Sequence, residues 1–317
     1  MFLRDMLRDE EANLSIDRLV GPLLDAESLA AEIAEPLRES APIQFSTALE
    51  RCAPEGTCQG YHAVWQYLRF ANLARSVRVD GPLYKAVAER MARAGRLHRV
   101  LITATADYSM LAHLSHGARK GGAEPTFDVV DLCATSLRMN EWYGAKKNLR
   151  VRTVLGDVLQ YSGDGSYDLI CSHSFVHWLP VADRPRLFAC WQRNLAPEGR
   201  VCFSNRTWTD HLEFAPDEME RRVNKLADTT VERLAELGIP LPCERDRFLD
   251  LLRAYGHRRD HLDPLPMADL ERWIVDAGLA IEIGLPAAHF VPENYDRIVG
   301  PFSVNRGPRM WFQLRRA

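Results

Sequence analysis

The segment Arg99-Val-Leu-Ile-Thr-Ala-Thr-Ala-Asp-Tyr-Ser-Met-Leu111 decides the fold, because it has the pattern of a buried strand, a tight turn and a helix. Three short apolar runs follow at regular spacing. The first ends in Asp131, the second is followed by Asp157, and the third is Tyr167-Asp-Leu-Ile-Cys-Ser-His-Ser174. Short strands that alternate with helices indicate a parallel sheet covered on both faces.

The same alternation continues to the C-terminus and predicts a seven-stranded, mostly parallel, doubly wound α/β sheet. Strands are expected at about residues 98–103, 126–131, 150–155, 167–172, 200–205, 280–285 and 309–314. Residues 1–95 have helical spacing and predict an N-terminal helical cap, which leaves 96–317 for the sheet domain. Within that domain, residues 211–262 are a helical, charge-rich insertion that we expect to close over the site as a lid.

Composition limits the possible partners. The chain has 40 basic and 43 acidic residues, a net charge of −3, so we expect neither nucleic acid nor an anionic membrane as a partner. Its seven cysteines are scattered without a C-x-x-C pair, which is typical of reduced core thiols in a cytoplasmic protein. From the sequence we expect neither a secretory signal nor a membrane span.

No metal site is predicted from these residues. His257 and His261 have the i,i+4 spacing of a ligand pair, but the two arginines between them would repel a cation.

The order and spacing of the elements resemble the class I S-adenosylmethionine (SAM) dependent methyltransferases, over roughly residues 95–207. The resemblance implies a Rossmann-like sheet with an antiparallel last strand, and SAM as the cofactor. In that family the first turn reads V-L-x-x-G-x-G-x-G, whereas the aligned residues here are Ala104, Ala106 and Tyr108. Alanine still permits a ligand to approach the backbone closely, but it does not adopt positive φ as readily as glycine does. The large side chain of Tyr108 also lacks the small size of the residue that it replaces. We therefore expect a modified cofactor turn, with Asp107 in it as a further cofactor-binding candidate and Tyr108 as a catalytic candidate.

Two acids carry the rest of the expected cofactor site. The resemblance implies that Asp131, next to Leu132, accepts hydrogen bonds from the ribose hydroxyls. It also implies that Asp157 accepts the adenine amino group while the Val158 amide meets a ring nitrogen. A solvated acid at a strand end and an acid that caps a turn are the structural alternatives.

The fourth strand leads to the candidate catalytic residues. Ser172 and His173 lie at its carboxyl end, where ligands bind in such sheets. His173 could accept a proton from an O–H or N–H acceptor, because imidazole titrates near neutral pH. His177 and Trp178 resemble a His-aromatic pair of the family that serves packing as often as chemistry.

The N-terminal run from Cys58 to Phe70 is dense in aromatic residues. Tyr61, Trp65 and Arg69 share one helical face, so the aromatics could attract a sulfonium and the arginine could hold the methionyl carboxylate. The alternative is an amphipathic helix whose aromatics belong to the core.

Three functions remain open. The first is a small-molecule methyltransferase for an O- or N-acceptor. The second is a SAM cyclase, because the aromatic helix and glycine-free turn look similar to azetidine-2-carboxylate synthases, which expel methylthioadenosine. The third is a non-catalytic binding protein on the same fold. The sequence leaves the oligomeric state open, a homodimer included.

Overall fold

The computed structural model describes residues 36–52, 57–74, 76–209, 215–258, 263–286 and 308–317. Its helices are α1 Leu37–Arg51, α2 Thr57–Phe70, α3 Gly81–Arg93, α4 Ser109–Lys120, α5 Ala134–Lys146, α6 Arg184–Asn194, α7 Pro216–Glu236, α8 Arg245–His257 and α9 Met267–Asp276. Its strands are β1 Arg99–Thr103, β2 Thr126–Asp131, β3 Arg150–Leu155, β4 Tyr167–His173, β5 Leu195–Arg206, β6 Leu279–Pro286 and β7 Arg309–Arg316. Among these helices, none has both the length and the apolar character of a membrane span.

The seven strands form one sheet in the order β3-β2-β1-β4-β5-β7-β6. The pairs from β3 to β5 are parallel, and β7 runs antiparallel to both β5 and β6. The predicted fold class and the antiparallel last strand are thus confirmed. Strand β5 begins earlier than predicted, because Leu195 already pairs with Tyr167 before a shift in register.

Both faces of the sheet are covered, as the continuous apolar strands require. In β1, Val100 and Ile102 belong to one core, which α3, α4 and α5 complete, whereas Leu101 belongs to the opposite core under α6 and α9. All three side chains are buried. The order of the sheet reverses between β1 and β4, and a crevice opens at such a point.

A third core joins the N-terminal helices to the insertion. Ala48 of α1 and Leu68 of α2 are buried in one cluster with Phe248 and Leu252 of α8. The predicted cap and the predicted lid therefore pack against each other. Residues 1–35 of the cap lie outside the described residues, as does His261, and the division of the chain at residue 95 stays a prediction.

Asp168 fixes the start of β1 against β4. Its Oδ2 accepts hydrogen bonds from the amides of His98 at 2.7 Å and Arg99 at 2.9 Å. A carboxylate that satisfies two backbone donors has a structural role at this strand end.

Helices α3 and α4 approach closely because glycine lies at their contact. A Cβ added to Gly117 would lie 2.2 Å from the Lys85 carbonyl oxygen, which is backbone and cannot rotate away. We expect Gly117→Ala to lower the free energy of unfolding by about 1–3 kcal/mol, because overpacking outweighs the gain in helix propensity. Urea denaturation measures this change. Gly156→Ala is the control, since its Cβ would have no atom within 4 Å; equal stabilities of the two variants would contradict the prediction.

Candidate cofactor and substrate site

A cavity of about 730 Å³ opens at the carboxyl ends of the parallel strands. Strand tips form its floor, and the helices α2, α7 and α8 enclose it. Of the residues predicted for the site, those that line the cavity are Tyr61, Trp65, Ala104, Ala106, Asp107, Asp131, Leu132, Asp157, Val158, Ser172, His173 and His177. Arg69 and Tyr108 were also predicted for the site, but they are not among the described residues that line the cavity.

The turn after β1 adopts the backbone conformation that glycine usually supplies. Ala104 has φ 53°, in the left-handed region, at a cost of about 1–2 kcal/mol for a residue with a Cβ. Two hydrogen bonds hold this turn: the Ala104 amide donates to the Val130 carbonyl at 3.0 Å, and the Thr105 amide donates to Asp131 Oδ2 at 2.8 Å. The turn is thus modified in sequence, as expected, but it keeps a positive φ without glycine.

Tyr108 does not face the cavity, so the prediction of a catalytic Tyr108 is wrong. Its ring is fully buried and stacks on Tyr143, with centroids 4.7 Å apart and 2° between the planes. Its hydroxyl lies 3.0 Å from Ser40 Oγ. Because Tyr108 directly precedes α4 and its ring turns into the core, its bulk leaves the crevice open.

Asp107 is the centre of a buried polar network. Its Oδ2 accepts from Trp65 Nε1 at 2.9 Å and from Arg69 Nη1 at 2.6 Å, and its Oδ1 accepts from the Ser109 amide at 2.8 Å. The prediction that Arg69 holds the methionyl carboxylate is therefore wrong, because this guanidinium is buried against a protein carboxylate. The network links α2 of the cap to the turn after β1.

Asp131 ties two strand tips together. Besides the Thr105 amide, its carboxylate accepts the Cys133 amide at 2.7 Å through Oδ1. Burial raises the pKa of Asp131 above its ordinary value, although these two amides favour the charged form. Leu132 beside it is 74% exposed and lines the cavity.

Asp157 lies at the next strand tip and caps a turn. Its Oδ1 accepts the Leu159 amide at 2.9 Å, while the Gly156 amide donates to the Asp131 carbonyl at 3.0 Å. Val158 is buried and also lines the cavity. The roles of Asp131 and Asp157 toward a nucleoside stay predictions, but their placement at adjacent tips agrees with them.

On the other side of the crevice, His173 belongs to a chain of buried polar groups. The Ser204 hydroxyl donates to Asp80 Oδ2 at 2.6 Å, so its oxygen can accept from His173 Nδ1 at 2.9 Å. Arg309 Nη1 lies 3.5 Å from His173 Nε2 and donates to Ser174 Oγ at 2.7 Å. Ser172 nearby donates its hydroxyl to the Thr103 carbonyl at 3.1 Å.

The pKa values of this chain follow from its burial and its charges. Burial lowers the pKa of His173 below its ordinary value, with help from Arg309, although Asp80 opposes the shift. The pKa of Asp80 is also lowered, because the Arg309 guanidinium and the His173 hydrogen bond outweigh its burial. His173 is therefore a neutral imidazole near pH 7.

His177 packs against aromatic rings beside the cavity. Its Nδ1 lies 3.2 Å from Asn205 Oδ1, and its ring contacts the rings of Trp178 and Trp208 at centroid distances of 5.2 and 5.8 Å. It lines the cavity, and its predicted catalytic role stays untested.

An aromatic wall closes the cavity. Tyr61 stacks with Trp65 and with Tyr255, at centroid distances of 5.2 and 5.7 Å. The Arg258 guanidinium lies 4.5 Å from the Tyr61 ring centre and 4.9 Å from that of Trp178. The rings of Tyr61 and Trp178 thus already make cation–π contacts with Arg258. An aromatic face can offer the same interaction to a sulfonium.

Sequence reasoning missed Asp80, Ser204 and Arg309. Asp80 was visible as the residue before Gly81-Pro82 at a helix start, and Ser204 as the end of an apolar strand. Neither local pattern indicates a contact with His173, because these three residues and His173 come from separate elements of the fold.

Residues 110–199 match a model described as a methyltransferase domain. The strand order, with an antiparallel seventh strand inserted beside the fifth, is the one that the resemblance implied. The chain thus has the strand order of the class I methyltransferase fold, and its residues 110–199 are similar to a methyltransferase domain. A comparison with curated proteins gives no match.

Several solved structures are similar to this chain. An O-methyltransferase family protein from Burkholderia thailandensis is 13% identical, with a TM-score of 0.48, over 89% of this chain and 69% of that one. The 1,6-didemethyltoxoflavin-N1-methyltransferase of the same organism is 15% identical, with a TM-score of 0.47, over 90% and 91%. Geranyl diphosphate C-methyltransferase from Streptomyces coelicolor A3(2) is 12% identical, with a TM-score of 0.46, over 90% and 99%. At these values the similarities say nothing about the substrate of this chain.

The positive φ at Ala104 predicts opposite responses to glycine at two neighbouring alanines. Ala104→Gly relieves the strained conformation, so we expect unfolding free energy to stay the same or rise by up to about 1 kcal/mol. Ala106→Gly has no such strain to relieve and is expected to lower it by about 0.5–1 kcal/mol. Denaturant titration of both variants checks the prediction, and a larger loss at position 104 than at 106 would contradict it.

Proposed function

We propose that this chain transfers the methyl group of SAM to the oxygen or nitrogen of a small molecule. The observation that carries the proposal is the junction of Asp131 with the turn after β1, at the edge of a cavity of about 730 Å³. In such folds a nucleoside binds at the tips of neighbouring parallel strands, where a carboxylate accepts its hydroxyls and a tight turn lets it approach the backbone.

The residues present fit this cofactor. Ala104 and Ala106 keep side chains small where a ligand must approach the backbone, and Tyr108 turns away from it. Asp131 would hold the ribose hydroxyls, and Asp157 with the Val158 amide would hold the adenine. Bound there, SAM supplies an electrophilic methyl group on a sulfonium.

His173 is the proposed general base. Its Nδ1 faces Ser204, so in the neutral ring Nε2 is the nitrogen that can accept a proton. Arg309 Nη1 lies 3.5 Å from this nitrogen. The lowered pKa keeps that nitrogen unprotonated at neutral pH. Asp80 and Ser204 act as positioning residues, because they orient the imidazole and touch it from the side opposite Nε2.

The enclosing helices contribute positioning and exclusion of water. Alignment of the reacting atoms and removal of solvent are the main demands of methyl transfer. Tyr61 and Trp65 of α2, with Tyr255 of α8, form a wall that would both align the reacting atoms and exclude solvent.

Product analysis tests the proposal. The purified protein is incubated with SAM alone and with SAM plus pooled phenols, carboxylic acids and amines. We expect S-adenosylhomocysteine with the pool and no turnover without it. Methylthioadenosine from SAM alone would replace the proposal with the cyclase, and the absence of heat on titrating SAM would favour a non-catalytic binding protein.

Removal of the Asp131 charge tests the ribose site. We expect Asp131→Asn to weaken SAM binding by about 1–3 kcal/mol, roughly 5- to 150-fold, because buried hydroxyls and amides lose their charged acceptor. Isothermal titration calorimetry measures the affinity. Asp164→Asn is the matched control, since that carboxylate is 63% exposed and pairs with Arg99 away from the cavity. Unchanged affinity in the first variant would show that the ribose binds elsewhere.

The protonation state of His173 tests the proposed base. Because burial lowers its pKa, we expect the imidazole to titrate below pH 6.5 in the folded protein. Asp80→Asn is expected to move the titration lower still, because the carboxylate favours the imidazolium. Nitrogen NMR of labelled histidines reports both values, with His173→Gln to assign the signal. A titration above pH 7 would mean that the group is an acid at neutral pH and not the base.

A further inference from the structure

Four side chains outside the proposed cofactor contacts converge on one point. They are Cys52, Cys58, His62 and Cys133, and their ligand atoms all lie within 4.8 Å of one another. The sequence predicted scattered, reduced core thiols. These three cysteines are free and belong to the third core or pack against it, but they lie together, which the sequence did not predict. His62, Cys52 and Cys133 are at most 9% exposed, and Cys58, His62 and Cys133 lie at the wall of the cavity.

The fold brings these side chains together from three elements. Cys52 follows the last residue of α1, and Cys58 and His62 lie one turn apart in α2. This i,i+4 spacing places them on the same face of the helix. Cys133 precedes α5 in the loop after β2, more than 70 residues away in sequence.

The distances between these four atoms are close to those of a single tetrahedral metal centre, with the sulfurs slightly nearer to one another than in a zinc tetrahedron. The three Sγ–Sγ distances are 3.5, 3.5 and 3.4 Å, and the Sγ–Nδ1 distances to His62 are 3.7, 3.1 and 3.4 Å. Zinc bonds of the usual length give tetrahedral edges of about 3.8 Å between sulfurs and about 3.6 Å between sulfur and nitrogen. A disulfide needs sulfurs about 2.0 Å apart and would leave the third thiol without a partner.

We propose that Cys52, Cys58, His62 and Cys133 bind one zinc ion in a closed, structural site. Three thiolates and one imidazole are a common ligand set of structural zinc, and with all four positions filled none is open for catalysis. The thiols lose their protons on binding, which couples the site to pH. Thr135 Oγ1 lies 3.2 Å from Cys52 Sγ and can donate to that thiolate, as outer partners of metal ligands do.

The ion would clamp the cap onto the sheet next to the cofactor edge. Cys133 is a proposed ligand through Sγ, and its amide donates to Asp131. The site therefore joins α1 and α2 to the loop that carries the Asp131 carboxylate. Loss of zinc should loosen the cap and, if the proposed function holds, also weaken SAM binding.

Metal content of the full chain tests the site. The protein, purified without chelator or metal-affinity resin, is analysed by inductively coupled plasma mass spectrometry. We expect about one zinc per chain in the wild type and in Cys243→Ser, and a several-fold lower content in Cys58→Ser and Cys133→Ser. Cys243 is the matched control because it lies outside the cluster and is also partly exposed. Wild-type protein without zinc, or with iron in its place, would overturn the proposal.

Two measurements on the wild type keep the test valid if the variants fail to fold. Removal of the ion with a strong chelator should lower the melting temperature by several degrees, and added zinc should restore it. Thiol titration of the unfolded chain should find all seven cysteines reduced. Five titratable thiols would reveal a disulfide and overturn the proposal. These readouts involve no SAM, so they stand or fall separately from the methyltransferase assay.

Discussion

The site depends on the Asp131 carboxylate, which accepts one amide from the turn after β1 and one from its own loop. These bonds join two strand tips that are neighbours in the sheet but 26 residues apart in sequence. They also help to keep Ala104 at a positive φ that an alanine seldom adopts. A turn without glycine can therefore keep the shape of a glycine turn, because the strain at one residue is offset by fixed hydrogen bonds around it.

A second constraint is the burial of Asp107 under the cap. Trp65 and Arg69 of α2 both donate to it, and a buried guanidinium needs such a partner. The cap is thus attached to the same turn that Asp131 holds from the other side. Through its shared core with α8, it also sets the position of the aromatic wall. In this way α2 and α8, which are far apart in the chain, form one enclosure over the strand tips.

The cavity consequently has two chemically different sides. Asp131 is the last residue of β2, and Asp157 follows the end of β3. On this side of the cavity, their carboxylates are hydrogen-bond acceptors for a polar, hydroxyl-bearing ligand. His173, Ser204 and Arg309 lie beyond the switch point, where a neutral imidazole is held by a buried acid. The proposed zinc site lies beside the first side and contributes support to it without entering the chemistry. The two acids and the imidazole therefore lie on opposite sides of the switch point, which is the arrangement that the proposed two-substrate reaction requires.

The sequence by itself determined most of the fold. Apolar periodicity placed β2 and β3 at their observed bounds. It also placed Asp131 and Asp157 at one edge, because parallel strands that follow one another must end on the same side. Tertiary structure alone decided the direction of Tyr108, the partner of Arg69, the Asp80–Ser204–His173 chain and the meeting of the cysteines with His62. The physical reason is that a periodic pattern reports which face of an element a residue occupies, whereas its partner is chosen by how separate elements pack.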